Sequence, residues 1–207
     1  MPRKNHWTPK NNSKYHKKAI NNKTVTKKIN KHEFCNKLIF TVKKPSKKIE
    51  KLCKQLRRIF MPLSLPNIKE TSIKQKDCEK FADEFSISHL IFVYEKNSKI
   101  YVDITDRIQN ETHNFELVKY DETFKNFPNV MYKEHPFISM SGNNNQTELF
   151  FRKMYKEYKG NFKRILHFEF EDDFIFIRHY CYRINDNEKN YKVKMTEIGP
   201  RIDLKKI

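Results

Sequence analysis

The order in which apolar periodicities alternate along the chain constrains its fold more than any other feature. A strand-like run, KLIFTVKK (37–44), gives way to a 3.6-residue period in SKKIEKLCKQLRRIF (46–60), opened by Ser46 after Pro45. A proline-punctuated connection, MPLSLPNIKE, leads to a second helical stretch, KQKDCEKFADEF (74–85). HLIFVYE (89–95), KIYVDIT (99–105) and THNFELVKY (112–120) then read as strands, with Asn97 and Ser98 a tight turn between the first two. The pattern weakens over DETFKNFPNVMYKEH and then restarts. HPFISMSG (135–142) is a strand and QTELFFRKMYKEY (146–158) a helix, followed by the strands RILHFEFE, DFIFIRHYCYRI, YKVKMTEI and RIDLKKI. Strand, helix, meander thus occurs twice, which predicts a mixed α/β chain built as a structural duplication without residue identity.

Only three glycines occur, Gly142, Gly160 and Gly199, and the last precedes Pro200 and Arg201 close to the final residue. Pro200 fixes its own φ and donates no ladder hydrogen bond, so Gly199-Pro200 predicts a bend between the last two strands. Three glycines so far apart also exclude a phosphate-cradling glycine loop, and no nucleotide cofactor is implied.

The formal net charge is +18, which makes nucleic acid the expected partner of so self-repelling a surface. The positive charge is unevenly placed: residues 1–33 are basic and asparagine-rich without apolar periodicity, and no acid precedes Glu33. They read as a disordered or partner-ordered arm, with Lys17, Lys18, Lys27 and Lys28 among its candidate phosphate contacts and Trp7 its one large aromatic. In the 46–60 helix, Ile49, Leu52, Cys53, Leu56, Ile59 and Phe60 share one side. Lys47, Lys51, Lys54 and Arg58 fall within about 40° of one line on the other, flanked by Lys48 and Arg57. Lys47 and Lys48 occupy the first turn, where the helix dipole disfavours positive charge and only Glu50 compensates, a local penalty that fits a site for a phosphate backbone. Arg152, Lys153 and Lys156 repeat the arrangement more weakly, and Lys163, Arg164, Arg178, Arg183 and Arg201 extend the cationic set.

Catalytic chemistry has little support. The four cysteines, Cys35, Cys53, Cys78 and Cys181, lack paired spacing, no secretory signal is seen, and a reducing compartment follows. The eight histidines form no HExxH or zinc pair. One competing reading is a metal-dependent nuclease built on Glu169, Glu171, Asp172 and Asp173, with His179. Against it, the glutamates alternate with Phe168 and Phe170 as on a solvated strand, and Asp172-Asp173 fall at a hairpin turn. Another reading is a protein-binding module whose charge meets an acidic partner.

LRRIFMPLSLPNIKE, DCEKFADEFSISHLIF, THNFELVKY, FIRHYCYRI and above all MTEIGPRIDL, in this order, resemble the Brix-domain ribosome assembly factors, and within them the Peter Pan (Suppressor of sterility four) subgroup. The resemblance runs from Lys37 to Ile207. It implies a Brix fold of two pseudo-repeated, anticodon-binding-like lobes, 34–122 and 135–207, behind the arm at 1–33. It also implies a non-enzymatic factor in the nucleolus that binds precursor ribosomal RNA of the large subunit. Its implied partners are a smaller assembly protein, bound as a heterodimer, and other pre-ribosomal proteins. A Brix subgroup serving the small subunit is the alternative. The sequence departs from the subgroup in its short NDNEKN segment before the last strands and in ending soon after GPR, so the basic arm is expected to supply binding otherwise given by a charged tail.

Overall fold

The computed structural model describes residues 36–41, 45–65, 75–122, 129–142, 146–155, 158, 160, 162–187 and 190–207. The first succession forms β1 (Asn36–Phe40), α1 (Lys47–Phe60), α2 (Gln75–Glu84), β2 (Ile87–Lys96), β3 (Lys99–Asp106) and β4 (Glu111–Asp121). A four-residue turn of helix, α3 (Asn129–Tyr132), precedes the second. That second succession is β5 (Phe137–Gly142), α4 (Gln146–Lys153), β6 (Arg164–Glu171), β7 (Phe174–Asn187), β8 (Asn190–Glu197) and β9 (Arg201–Lys206). Mixed α/β is therefore the fold class, as the alternation of periods predicts. Asn97 and Ser98 both take positive φ (52° and 61°), the conformation a two-residue hairpin between β2 and β3 needs. Residues 42–44 of the first predicted strand lie outside the described residues. The predicted 146–158 helix ends earlier: Met154 and Tyr155 donate from N–H to carbonyls three residues back, Phe151 and Arg152, so its last turn tightens and closes.

The nine strands of the described residues join one sheet in the order β1-β2-β3-β4-β9-β7-β6-β5, with β8 paired to β7. β1 runs parallel to β2 and β5 parallel to β6, and the other pairs are antiparallel. The order reads the same from either edge: β1-β2-β3-β4 meets β9-β7-β6-β5, each with a helix between its first two strands. The last strand does more than extend the second meander. β9 lies between β4 and β7, with Ile202 opposite both Tyr120 and Ile177. Its insertion makes one sheet of the two meanders.

One face of this sheet carries the main core. Ile39, Ile91, Val93, Val102 and Ile104 from one half, and Leu166, Phe168, Phe170, Ile175, Ile177, Ile202 and Leu204 from the other, bury themselves under α1 and α4. These are alternate strand positions, as a sheet covered on one side requires. On the other face α2 covers only the β1 and β2 end, through Cys78 and Ala82 against Leu38, Phe40 and Leu90. Among the described residues α2 has no counterpart between β5 and β6.

Candidate nucleic-acid interface

The helix α1 is built to show one face. Ser46 caps it by accepting a hydrogen bond from the Ile49 N–H at 3.5 Å, and Ile49, Leu52, Cys53, Leu56, Ile59 and Phe60 are buried. Lys47, Lys48, Lys51 and Lys54 are all exposed. Lys51 meets Glu122 at 2.8 Å, but both side chains are more than half exposed, so water and salt screen the pair and the ridge keeps its positive field.

Two arginines expected with this ridge are placed otherwise. Arg57, predicted on its flank, is 1 % exposed and is thereby removed from the solvent face. Its Nε and Nη2 donate to the Ile39 carbonyl at 3.0 and 2.8 Å, a fork geometry that ties α1 to β1. Arg58 is half-buried, its guanidinium 5.2 Å from the centre of the Tyr132 ring.

Arg178 and Arg201 lie on the sheet face opposite the main core, each against a carboxylate. Arg178 meets Asp203 at 2.6 Å and lies over Phe176. Arg201 grips both oxygens of Glu197 at 2.7 Å, which holds the Glu197 carboxyl below its ordinary pKa. Lys17, Lys18, Lys27 and Lys28 lie outside the described residues. Arg183 is exposed, and Lys163 meets Glu134 at 2.5 Å.

Glu169 and Glu171 are exposed on β6, and Asp172 turns the chain with φ of 50°. His179, grouped with them in the nuclease reading, is on the other side of the sheet. Glu169 pairs with Phe176, so residues 174, 176 and 178 share the glutamate face, and His179 points into the core with no exposed surface. Among the described residues no group of three or more His, Cys, Asp or Glu side chains could hold a metal ion.

His179 belongs instead to a buried assembly centred on Arg164, which has no exposed surface either. The Arg164 Nη1 donates to the Ile59 carbonyl at 3.0 Å and lies 3.2 Å from His179 Nε2; Nη2 donates to the carbonyls of Met61 and Glu134. A guanidinium has no acceptor, so His179 Nε2 must accept, and its Nδ1–H donates to the Gly199 carbonyl at 3.1 Å. The His179 carbonyl in turn accepts from the N–H groups of Ile198 and Gly199. These bonds fasten the Gly199-Pro200 bend, where Gly199 takes φ of 70°, to the end of α1. Burial and the neighbouring cation push the His179 pKa down to about 3, which keeps the ring neutral, and burial pulls Arg164 down to about 10.

Lys37, also without exposed surface, mirrors this arrangement. From β1 it donates to the Met154 carbonyl at 2.7 Å, with its ammonium 4.4 Å from the Tyr155 ring centre. A cation from each half therefore neutralises the carbonyl end of the other half's helix, where the dipole favours positive charge. Sequence reasoning did not assign these roles to Lys37 and Arg164. The available signal was parity: Lys37 alternates with Ile39, and Arg164 with Leu166 and Phe168, on the apolar side of their strands.

Residues 42–207 match the Brix domain. The chain belongs to the Brix-domain family. Brix domains are found in ribosome biogenesis factors that bind RNA, are generally non-enzymatic and are generally nuclear or nucleolar. No curated protein matches this chain. In this Brix domain the match takes in all of α1 and the whole Arg164, His179 and Gly199 assembly.

Proposed function

We propose that this Brix domain is a scaffold of large-subunit assembly that binds precursor ribosomal RNA without catalysing a reaction. The observation that carries this reading is the exposed ridge of Lys47, Lys48, Lys51 and Lys54, set on a helix whose other face is locked into the core. Phosphate contacts from the ridge and from the basic arm at 1–33 supply affinity without sequence preference. Shape and protein contacts supply location. Residues 34–122 and 135–207 act as the two lobes of one Brix domain, a division supported by the repeated element order. The five motifs quoted above favour the Peter Pan subgroup and with it a nucleolar factor of pre-60S particles that pairs with a smaller assembly protein and contacts other pre-ribosomal proteins. Arg58, Arg178 and Arg201 contribute to RNA binding where their present partners yield to phosphate.

Salt titration of RNA binding tests the ridge. Replacing Lys47, Lys48, Lys51 and Lys54 together by glutamine should reduce the slope of log affinity against log salt by up to about 3, at roughly 0.7 per phosphate contact on single-stranded RNA. Thermal stability should stay the same, since all four side chains are exposed. An unchanged slope would refute the ridge as an RNA contact. RNA crosslinking from cells then separates large-subunit from small-subunit precursors.

A further inference from the structure

Beyond Ile177, the strand β7 leaves β9 behind and continues as one arm of a hairpin with β8. Tyr180 to Asn187 pair with Glu197 to Asn190, and among the described residues β8 has β7 as its only neighbour. The outer edge of β8 thus offers unpaired N–H and C=O groups along most of a strand.

Both faces of this hairpin are distinctive. Ile184 lies directly opposite Val193, and Met195 opposite Tyr182, so these four side chains share one face by strand alternation. Ile184, Val193 and Met195 are 54 %, 59 % and 53 % exposed, with no element of the described fold covering them. Arg183 pairs with Lys194 on the opposite face, and both are exposed. Charge such as Lys194 guards an edge strand against pairing with like-charged chains, but it attracts an acidic segment, and it leaves Val193 and Met195 beside it uncovered. An edge with apolar and cationic faces is suited to pairing.

We infer that the β8 edge takes an added strand from a partner protein, in a segment that alternates apolar with acidic residues. Main-chain hydrogen bonds to β8 give the added strand its hold. Its apolar side chains extend the Ile184, Val193 and Met195 face, and its carboxylates meet Arg183 and Lys194. Charge decides among occupants. A second copy of this chain would bring another +18 and set lysine against lysine across the new pair. RNA would satisfy the cations but leave the aliphatic face wet. This inference rests on the proposed scaffold role, for which it specifies the protein-binding surface.

The test places a photo-crosslinking amino acid at Met195 in the full chain, recovers pre-ribosomal particles and sequences the crosslinked peptide. The expected product is a partner-protein segment of at least five residues in which valine, isoleucine or leucine alternates with aspartate or glutamate. With the crosslinker kept at residue 195, Ile184→Asp together with Val193→Asp should lower its capture at least tenfold, with RNA affinity and its salt slope unchanged. Crosslinks to RNA, to a second copy or to a segment of helical periodicity would each overturn the inference, as would no crosslink while the protein sits in particles. An unchanged salt slope in the lysine variant with the crosslink intact would refute the RNA ridge alone, so failure of the RNA reading is distinguishable from failure of this one.

Discussion

At the residue scale, buried ionisable groups set conditions on stability. His179 is held neutral with a pKa of about 3, and His89, buried against β3 with Lys37 beside it, is held at about 4. Both lie below the ordinary value of 6.5, so the unfolded chain binds more protons than the folded one as pH falls through 6.5. Their contribution to stability is whole above pH 6.5 and is lost progressively down to the folded values. Between pH 6.5 and 5 carboxylates remain largely ionised, and each histidine should lower unfolding free energy with a slope approaching ~1.4 kcal/mol per pH unit. Urea midpoints across that window measure this, and His179→Gln should remove about half of the slope. A flat profile would mean that both rings are protonated inside the fold, and half the slope that one of them is.

At the element scale, what was legible in the sequence follows from which interactions are local. Periods of 2 and 3.6, the Asn97-Ser98 turn and the amphipathic split of α1 are written in neighbouring residues and appear as read, apart from Arg57 and the end of α4. The seating of Arg57 against Ile39, the shortening of α4 and the placing of β9 between two meanders depend on residues distant in sequence, which no local period records. The basic ridge was legible because helical geometry fixes it. The buried roles of Lys37 and Arg164 were not, because a lysine or arginine in a strand usually faces water. Gly142 shows a similar dependence. At the end of β5 it takes φ of +111°, and a Cβ there would lie 2.0 Å from the Phe170 carbonyl oxygen on β6. Gly142→Ala should therefore destabilise the fold by about 2 kcal/mol or more, read as a lowered denaturation midpoint. Gly160→Ala is the control: the nearest atoms to its Cβ would be the far end of the exposed Tyr158 ring, and its cost should be clearly smaller.

At the scale of the whole molecule, the two halves satisfy each other's buried polar groups, and this has a kinetic and thermodynamic consequence. Arg164 comes from β6 but holds the Ile59 and Met61 carbonyls at the end of α1; Lys37 comes from β1 but holds the Met154 carbonyl beyond α4. β9 then contributes hydrogen bonds to a strand of each half. Opening either half alone would leave a cation or several carbonyls buried without partners, a cost of a few kcal/mol for each such loss. Unfolding should accordingly be a single cooperative event, although the element order repeats. Arg164→Met provides the sharpest check, since it strands acceptors on Ile59, Met61, Glu134 and His179, at a cost of about 1–3 kcal/mol for each that stays unsatisfied. Native-state hydrogen exchange should show that loss equally in the slowest amides of β2 and β3 and of β6 and β7. A decrease confined to the half that contains residue 164 would mean that the halves open independently and that the shared sheet does not couple them.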